Sequence, residues 1–182
     1  FLHPSLDQLH SPMEMLGMRT AVERLEQAVA QRELVLIYGD YDVDGTMATV
    51  ILKTAVELLG GHCDFHVPHR LLEGYGMRDE VIERAAASGV RLIISVDTGI
   101  RAFAAAETAE RLGVDLIVTD HHLLAQSGGV PKALAVLNPN QTDCGYPCKH
   151  LCGAGVAFKV AQALLERSGR ARLIPSFLKI VA

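Results

Sequence analysis

The chain has 182 residues, a formal charge of −4 at neutral pH, 49% apolar residues and 21% charged ones. That is enough chain for one ordinary domain with a sizeable core, and the composition of a folded protein, so fibrous and disordered classes are excluded. A net negative charge argues against a surface built mainly to neutralise phosphates, so any nucleic-acid contact has to be local or assisted by bound cations.

No apolar run approaches the length of a membrane span; strand-like runs such as residues 34–38 are about five residues long. Nothing at the amino end reads as a secretory signal, and a chain that opens on Phe1 instead of Met is expected to be part of a longer one. Four cysteines do not make a disulfide scaffold in a chain of this size, which predicts a reducing cytoplasm.

The elements follow in chain order. Ser11-Pro12-Met13-Glu14 carries a cap residue, a proline for the first helical position and a capping-box acid, predicting a helix from there to about Gln31. Met15, Val22, Leu25 and Val29 would form its buried side. Leu34-Val35-Leu36-Ile37-Tyr38 is continuously apolar, as a strand covered on both faces is. Residues 46–59 read as a helix stopped by Gly60-Gly61. The alternation continues with strands at 63–67, 92–96, 114–118 and 133–137, and helices at 78–87, 101–112 and 153–166. Residues 139–152 are polar and irregular, and the tail from 170 reads as a further helix broken or started near Pro175. The expected fold is α/β, a parallel five-stranded sheet with helices on both faces.

Polar residues collect at the predicted carboxyl ends of these strands, where open parallel sheets place their sites. Asp40-Tyr41-Asp42-Val43-Asp44-Gly45 follows the first strand, His69-Arg70 the second, Asp97-Thr98-Gly99 the third, Asp120-His121-His122 the fourth and Asn138 the fifth. Carboxylates brought together at one edge repel one another, and a divalent cation removes the repulsion. Each residue also has a plainer role. An Asp after a strand is often the cap of the next helix, which accounts for one of Asp40 or Asp44 but not for three acids spaced by two. An EF-hand loop fits Asp40, Asp42, Asp44 and Gly45, but its twelfth position is Ile51 and the segment follows a strand, so that reading fails. Cys144, Cys148, Cys152 and His150 suggest a zinc site, yet lack the second cysteine pair such sites use.

Taken together, Gly39-Asp40-Tyr41-Asp42-Val43-Asp44-Gly45, Ser95-Val96-Asp97-Thr98-Gly99 and Asp120-His121-His122 resemble successive motifs of the DHH phosphoesterase superfamily. Val67-Pro68-His69-Arg70 with Glu73-Gly74-Tyr75-Gly76, Leu137-Asn138-Pro139-Asn140-Gln141 and the segment from Leu151 to Phe158 narrow the resemblance to its RecJ branch of single-strand-specific exonucleases, as does the opening Phe1-Leu2-His3-Pro4. The resemblance implies a manganese-dependent enzyme, with two ions and magnesium as the competitor, that degrades single-stranded DNA 5′→3′ to 5′-mononucleotides. It implies Asp42, Asp44, Asp97 and His121 as metal ligands, His122 facing the scissile phosphate, and Asp40 and Asp120 in support. DNA-repair helicases or single-strand-binding proteins are the partners it suggests.

Arg70 is a candidate phosphate contact, or else pairs with Glu73; Asn138 would meet a ligand or substrate, or serve the turn before Pro139. The amides at Gly153 would meet a phosphate at a helix N-terminus, or the glycines allow close packing. The chain departs from the family in two ways. Tyr38 stands where many members have a His ligand, and a further Asp motif, a second domain and any oligonucleotide-binding barrel are not in the chain, which is therefore expected to be the amino-terminal part of a longer enzyme. Two other functions remain open: another DHH phosphoesterase acting on short oligonucleotides or cyclic dinucleotides, or a non-catalytic DNA-binding scaffold.

Overall fold

Five segments become strands of one sheet, the edge strand β2 polar and the others mostly apolar: β1 (Leu34–Tyr38), β2 (His62–His66), β3 (Val90–Val96), β4 (Asp115–Thr119) and β5 (Ala135–Leu137). In this computed structural model, which describes residues 5–126 and 129–181, all four strand pairings are parallel and the order is β2-β1-β3-β4-β5. The opening motif at Phe1–Pro4 lies outside the described residues. Chain order reverses between β1 and β3, so the loops after those strands part to opposite sides and leave a crevice at the carboxyl edge.

Among the described residues six α-helices cover the sheet: α1 (Met18–Gln31), α2 (Val43–Leu58), α3 (Asp79–Ala87), α4 (Phe103–Arg111), α5 (Gly153–Arg167) and α6 (Ile174–Val181). Alternate strand residues sort the core in two. Val35, Ile37, Leu92, Ile94 and Ile117 face α1, α2, α5 and α6. Leu36, Tyr38, Ile93, Leu116 and Val118 face α3 and α4. Because both faces are covered, the inner strands carry apolar residues on both faces, which is why Leu34–Tyr38 and Leu92–Ile94 read as unbroken runs. Helix α5 is buried along almost its whole length and crosses α2 closely, so the two helices that begin nearest the crevice are also packed against each other.

The first helix is shorter than its sequence suggests. Ser11 does accept from the Met13 amide, at 3.3 Å, but caps only the short 3₁₀ turn Pro12–Glu14. The chain then turns through Gly17 at φ +83° before α1 starts. A Cβ at Gly17 would lie 2.8 Å from the Val136 carbonyl, so the break lets this corner dock against β5. Gly17→Ala is expected to cost about 1–3 kcal/mol, from a strained φ and overpacking together, read as a lower urea midpoint with unchanged slope. Helix α2 starts three residues earlier than predicted, because Asp42 caps it by accepting from the Gly45 amide at 2.9 Å. The cap is thus neither Asp40 nor Asp44. The tail is a 3₁₀ turn, Ala171–Leu173, leading into α6 with Pro175 in its first turn, where a missing amide hydrogen costs nothing. Among the described residues no helix is long and apolar enough to cross a membrane.

Candidate metal centre

The crevice is built from strand ends that turn sharply. Gly45 sits where a Cβ would come within 2.7–2.8 Å of the Asp40 backbone, so only glycine lets α2 begin this close to β1. That contact keeps the start of α2, with Asp42 and Asp44, close to Asp40. Asp97, at the end of β3, has φ +60°, a left-handed conformation that a non-glycine residue adopts at a cost. Its carboxylate is 1% exposed and lies against Gly153, whose ideal Cβ would be 2.2 Å from Asp97 Oδ1.

Acids and imidazoles from three strand ends converge here. Carboxylate oxygens of Asp40, Asp42 and Asp97 lie within 4.8 Å of one another, as do ligand atoms of Asp97, His121 and His122. His121 Nε2 stands 3.2 Å from Asp97 Oδ1 and 3.6 Å from Asp44 Oδ2. The first of these contacts is close but not aligned as a hydrogen bond, so the buried Asp97 Oδ1 has no hydrogen-bond partner. Burial, then the charges of Asp44 and Asp42, push the Asp97 carboxyl up to about 8. Asp40 is raised as well, by burial first and by Asp42 among its neighbours. Crowded oxygen donors, one imidazole and an orphaned buried carboxylate oxygen are the donor set of a hard divalent ion such as Mn²⁺ or Mg²⁺, and the residues fit one.

The supporting contacts are specific. Asp120 is 1% exposed and accepts from the amides of His121 (2.7 Å), His122 (3.0 Å) and Ile100 (2.9 Å) and pairs with His122 Nδ1 at 2.7 Å. Burial works against its charge, but the bonds from His122 and Ile100 outweigh it and hold the carboxyl below its ordinary value. In return, the Asp120 bond raises His122. His122 keeps its other ring nitrogen for the crevice, beside an open cleft of about 730 Å³ lined by Tyr75, Met77, Thr98, Ile100 and Leu123.

Three expected site residues have partners within the protein. Asn138 is fully buried; it donates to the His122 carbonyl at 2.9 Å and accepts from the Asn140 amide at 2.8 Å, so neither end of its side chain is left for a substrate. The Gly153 amide donates to Asp44 Oδ2 at 2.6 Å and the Ala154 amide to Asp44 Oδ1 at 2.7 Å, so Asp44 caps α5 and takes the amides meant for a phosphate. The third is Asp44 itself, which approaches His121 while both its oxygens are engaged. Arg70 does not pair with Glu73; its guanidinium lies 5.3 Å from the centre of the Tyr41 ring, on the rim beside Asp40 and Asp42. Glu73 instead meets His66 at 2.9 Å. Tyr38 is buried, donates to the Gly76 carbonyl at 3.3 Å and accepts from the Arg78 amide at 3.1 Å, which is a structural use of the hydroxyl. Among the described residues, no cluster of metal-ligand side chains includes a cysteine, and the four thiols are free. Asn140, which donates to the His121 carbonyl at 2.6 Å, is not singled out by the sequence, although its place in Asn138-Pro139-Asn140 is the available signal.

A parallel sheet whose reversal point gathers acids and an Asp-His-His loop defines an α/β architecture with a candidate metal site at its carboxyl edge. A sequence model of the DHH family, N-terminal domain, matches residues 34–182, and the chain belongs to that family. Within it, the chain is similar to the RecJ proteins. It is 43% identical over 165 residues to the single-stranded-DNA-specific exonuclease RecJ of Bacillus subtilis, covering 91% of this chain and 21% of that protein. The Escherichia coli RecJ is 41% identical over 152 residues, covering 83% and 26%. A crystal structure of exonuclease RecJ bound to manganese superposes with a TM-score of 0.79 and 36% identity, covering 88% of this chain and 40% of that one. RecJ of Thermus thermophilus in complex with Mn²⁺ gives 0.73 at 32% identity, over 90% and 23%. The chain therefore spans about a fifth to a quarter of the length of these curated relatives.

Proposed function

We propose that the chain is the amino-terminal part of the catalytic domain of a divalent-metal-dependent phosphodiesterase, a 5′→3′ exonuclease that degrades single-stranded DNA to 5′-mononucleotides. Mn²⁺ is the proposed ion and Mg²⁺ its competitor. The observation that carries this reading is Asp97: a buried, unpaired carboxylate oxygen set between an acid group and an imidazole. Its strained backbone and raised carboxyl are costs that a bound cation offsets. The manganese complexes of RecJ relatives support the same assignment.

Asp42, Asp44, Asp97 and His121 would hold the ions, with Asp40 beside them. Bound there, a divalent ion polarises a phosphoryl oxygen and makes hydroxide available near neutral pH. The chain's own residues do the rest. Asp120 holds the His122 ring by Nδ1, which raises its basicity and orients it toward the scissile phosphate. Arg70 reaches from the rim to a neighbouring phosphate, and the cleft beside His122 receives the terminal nucleotide. Two divalent ions would also balance the formal −4 of the chain, which lets an acidic protein accept a polyanion.

The stretch of the relatives beyond the matched quarter is where a strand-binding second domain belongs. Free thiols throughout support a reducing, cytoplasmic setting. There, helicases that expose single strands and proteins that coat them are the partners we propose. The deciding experiment titrates the full-length protein with Mn²⁺ on a 5′-labelled single strand, with a duplex as control. Labelled mononucleotide as the first product is expected; absence of hydrolysis, or equal hydrolysis of the duplex, overturns the proposal.

A further inference from the structure

The loop 67–78 between β2 and α3 has little apolar packing to hold it. Leu71 and Leu72 are 87% and 81% exposed, and the apolar side chains that turn inward, Val67, Pro68 and Met77, lie near its two ends. A segment of this kind opens easily unless polar ties hold it. Besides a turn closed by the Leu72 and Glu73 amides on the His69 carbonyl, at 3.0 and 2.8 Å, two side chains tie the loop to the strands. Glu73 bridges the strand and the loop: one carboxylate oxygen meets His66 Nε2, on the last residue of β2, at 2.9 Å, and the other accepts from the His69 amide at 2.9 Å. Its own carbonyl accepts from Arg78 Nη1 at 3.2 Å. The Tyr38 hydroxyl, from the end of β1, pins the far side at Gly76 and Arg78. Between the ties the loop carries Arg70 over Tyr41 and Tyr75 edge-on to His122, with ring centres 6.1 Å apart.

We infer that Glu73 is a positioning residue for single-strand binding: by bridging His66 to the His69 amide it sets where Arg70 and Tyr75 stand over the acid cluster. Glu73 touches neither the cluster nor a reacting atom, so it acts on how the strand is held and leaves the chemistry alone. The inference rests on the nuclease reading for its substrate and on the loop geometry for its mechanism.

Glu73→Ala and Glu73→Gln in the full-length protein test it. With Mn²⁺ and a single-stranded oligonucleotide, the alanine variant should raise KM about tenfold, the worth of one or two lost hydrogen bonds, while kcat stays within about twofold. Glutamine keeps an acceptor for the His69 amide and a polar partner for His66, and should recover most of the loss. Mn²⁺ affinity by calorimetry should be the same in all three proteins. A wild-type KM in the alanine variant, a fall in kcat alone, or a glutamine variant as impaired as the alanine one overturns the inference. Amide hydrogen exchange keeps it testable apart from the nuclease reading. Faster exchange across 67–78 in the alanine variant is expected whether or not the protein cuts DNA, and unchanged protection there overturns the tie. Absence of cleavage by the wild type counts against the nuclease reading alone.

Discussion

Asp97→Asn is expected to lower single-strand hydrolysis by more than about a hundredfold while leaving the fold intact, because it removes the charge at the centre of the ligand set and little else. Asparagine tolerates the left-handed φ of +60° as well as aspartate does, so the turn after β3 survives the change. The same variant separates the metal from the scaffold. Without metal, burial and the neighbouring acids push the Asp97 carboxyl of the folded protein up to about 8, against an ordinary 3.8. A carboxyl whose pKa is raised on folding leaves stability intact below the unfolded value and removes it as pH climbs toward the folded one. The metal-free wild type should therefore lose stability between about pH 4 and pH 8, at up to about 1.4 kcal/mol per pH unit from this group. Mn²⁺ should restore it, and Asp97→Asn should flatten the dependence and abolish the Mn²⁺ response. Denaturant midpoints at several pH values, with and without metal, read all three effects. Wild-type cleavage by the variant would make Asp97 a turn residue only.

Asp120→Asn should be the most destabilising single change near the crevice, at about 2–4 kcal/mol. The carboxylate accepts from three amides and an imidazole, and both oxygens are used. An amide has one acceptor. With its oxygen toward His121 and His122, its NH₂ faces the Ile100 amide and leaves two donors opposed; turned round, it opposes three. The Asp120–His122 pair is also lost, so the His122 midpoint should fall toward its ordinary value in an NMR titration. Retained stability with an unchanged His122 would mean that the loop is held without Asp120. Because Asn138 and Asn140 hold the same loop by the carbonyls of His122 and His121, the variant is expected to fold, with the loop loosened from one side.

These expectations show which parts of the site are readable from residue order. Strands and helices are legible because burial on both faces writes itself as unbroken apolar runs, and helix faces as periodic ones. The convergence of Asp40, Asp42, Asp97, His121 and His122 follows, since parallel strands carry their following loops to one edge. Asp120 in support of the histidines is expected too, and its bonds to both lie two residues apart or closer.

What residue order leaves open are contacts between elements far apart in the chain. Asp44 looks like one more free carboxylate, and only the packing of α5 on α2 brings the Gly153 and Ala154 amides, 109 and 110 residues away, to its oxygens. Gly153 reads either as a phosphate cradle or as a close-packing glycine, and only the fold shows that its missing side chain makes room for Asp97. Asn138 and Glu73 can be assigned partners only once β5 and β2 are seen beside the loops they brace. The amino-acid sequence by itself determined which side chains reach the crevice, because alternation and strand polarity are local. Tertiary structure alone decided which of their donors and acceptors are already satisfied, because a hydrogen bond depends on distances of a few tenths of an ångström between segments whose separation no local pattern encodes.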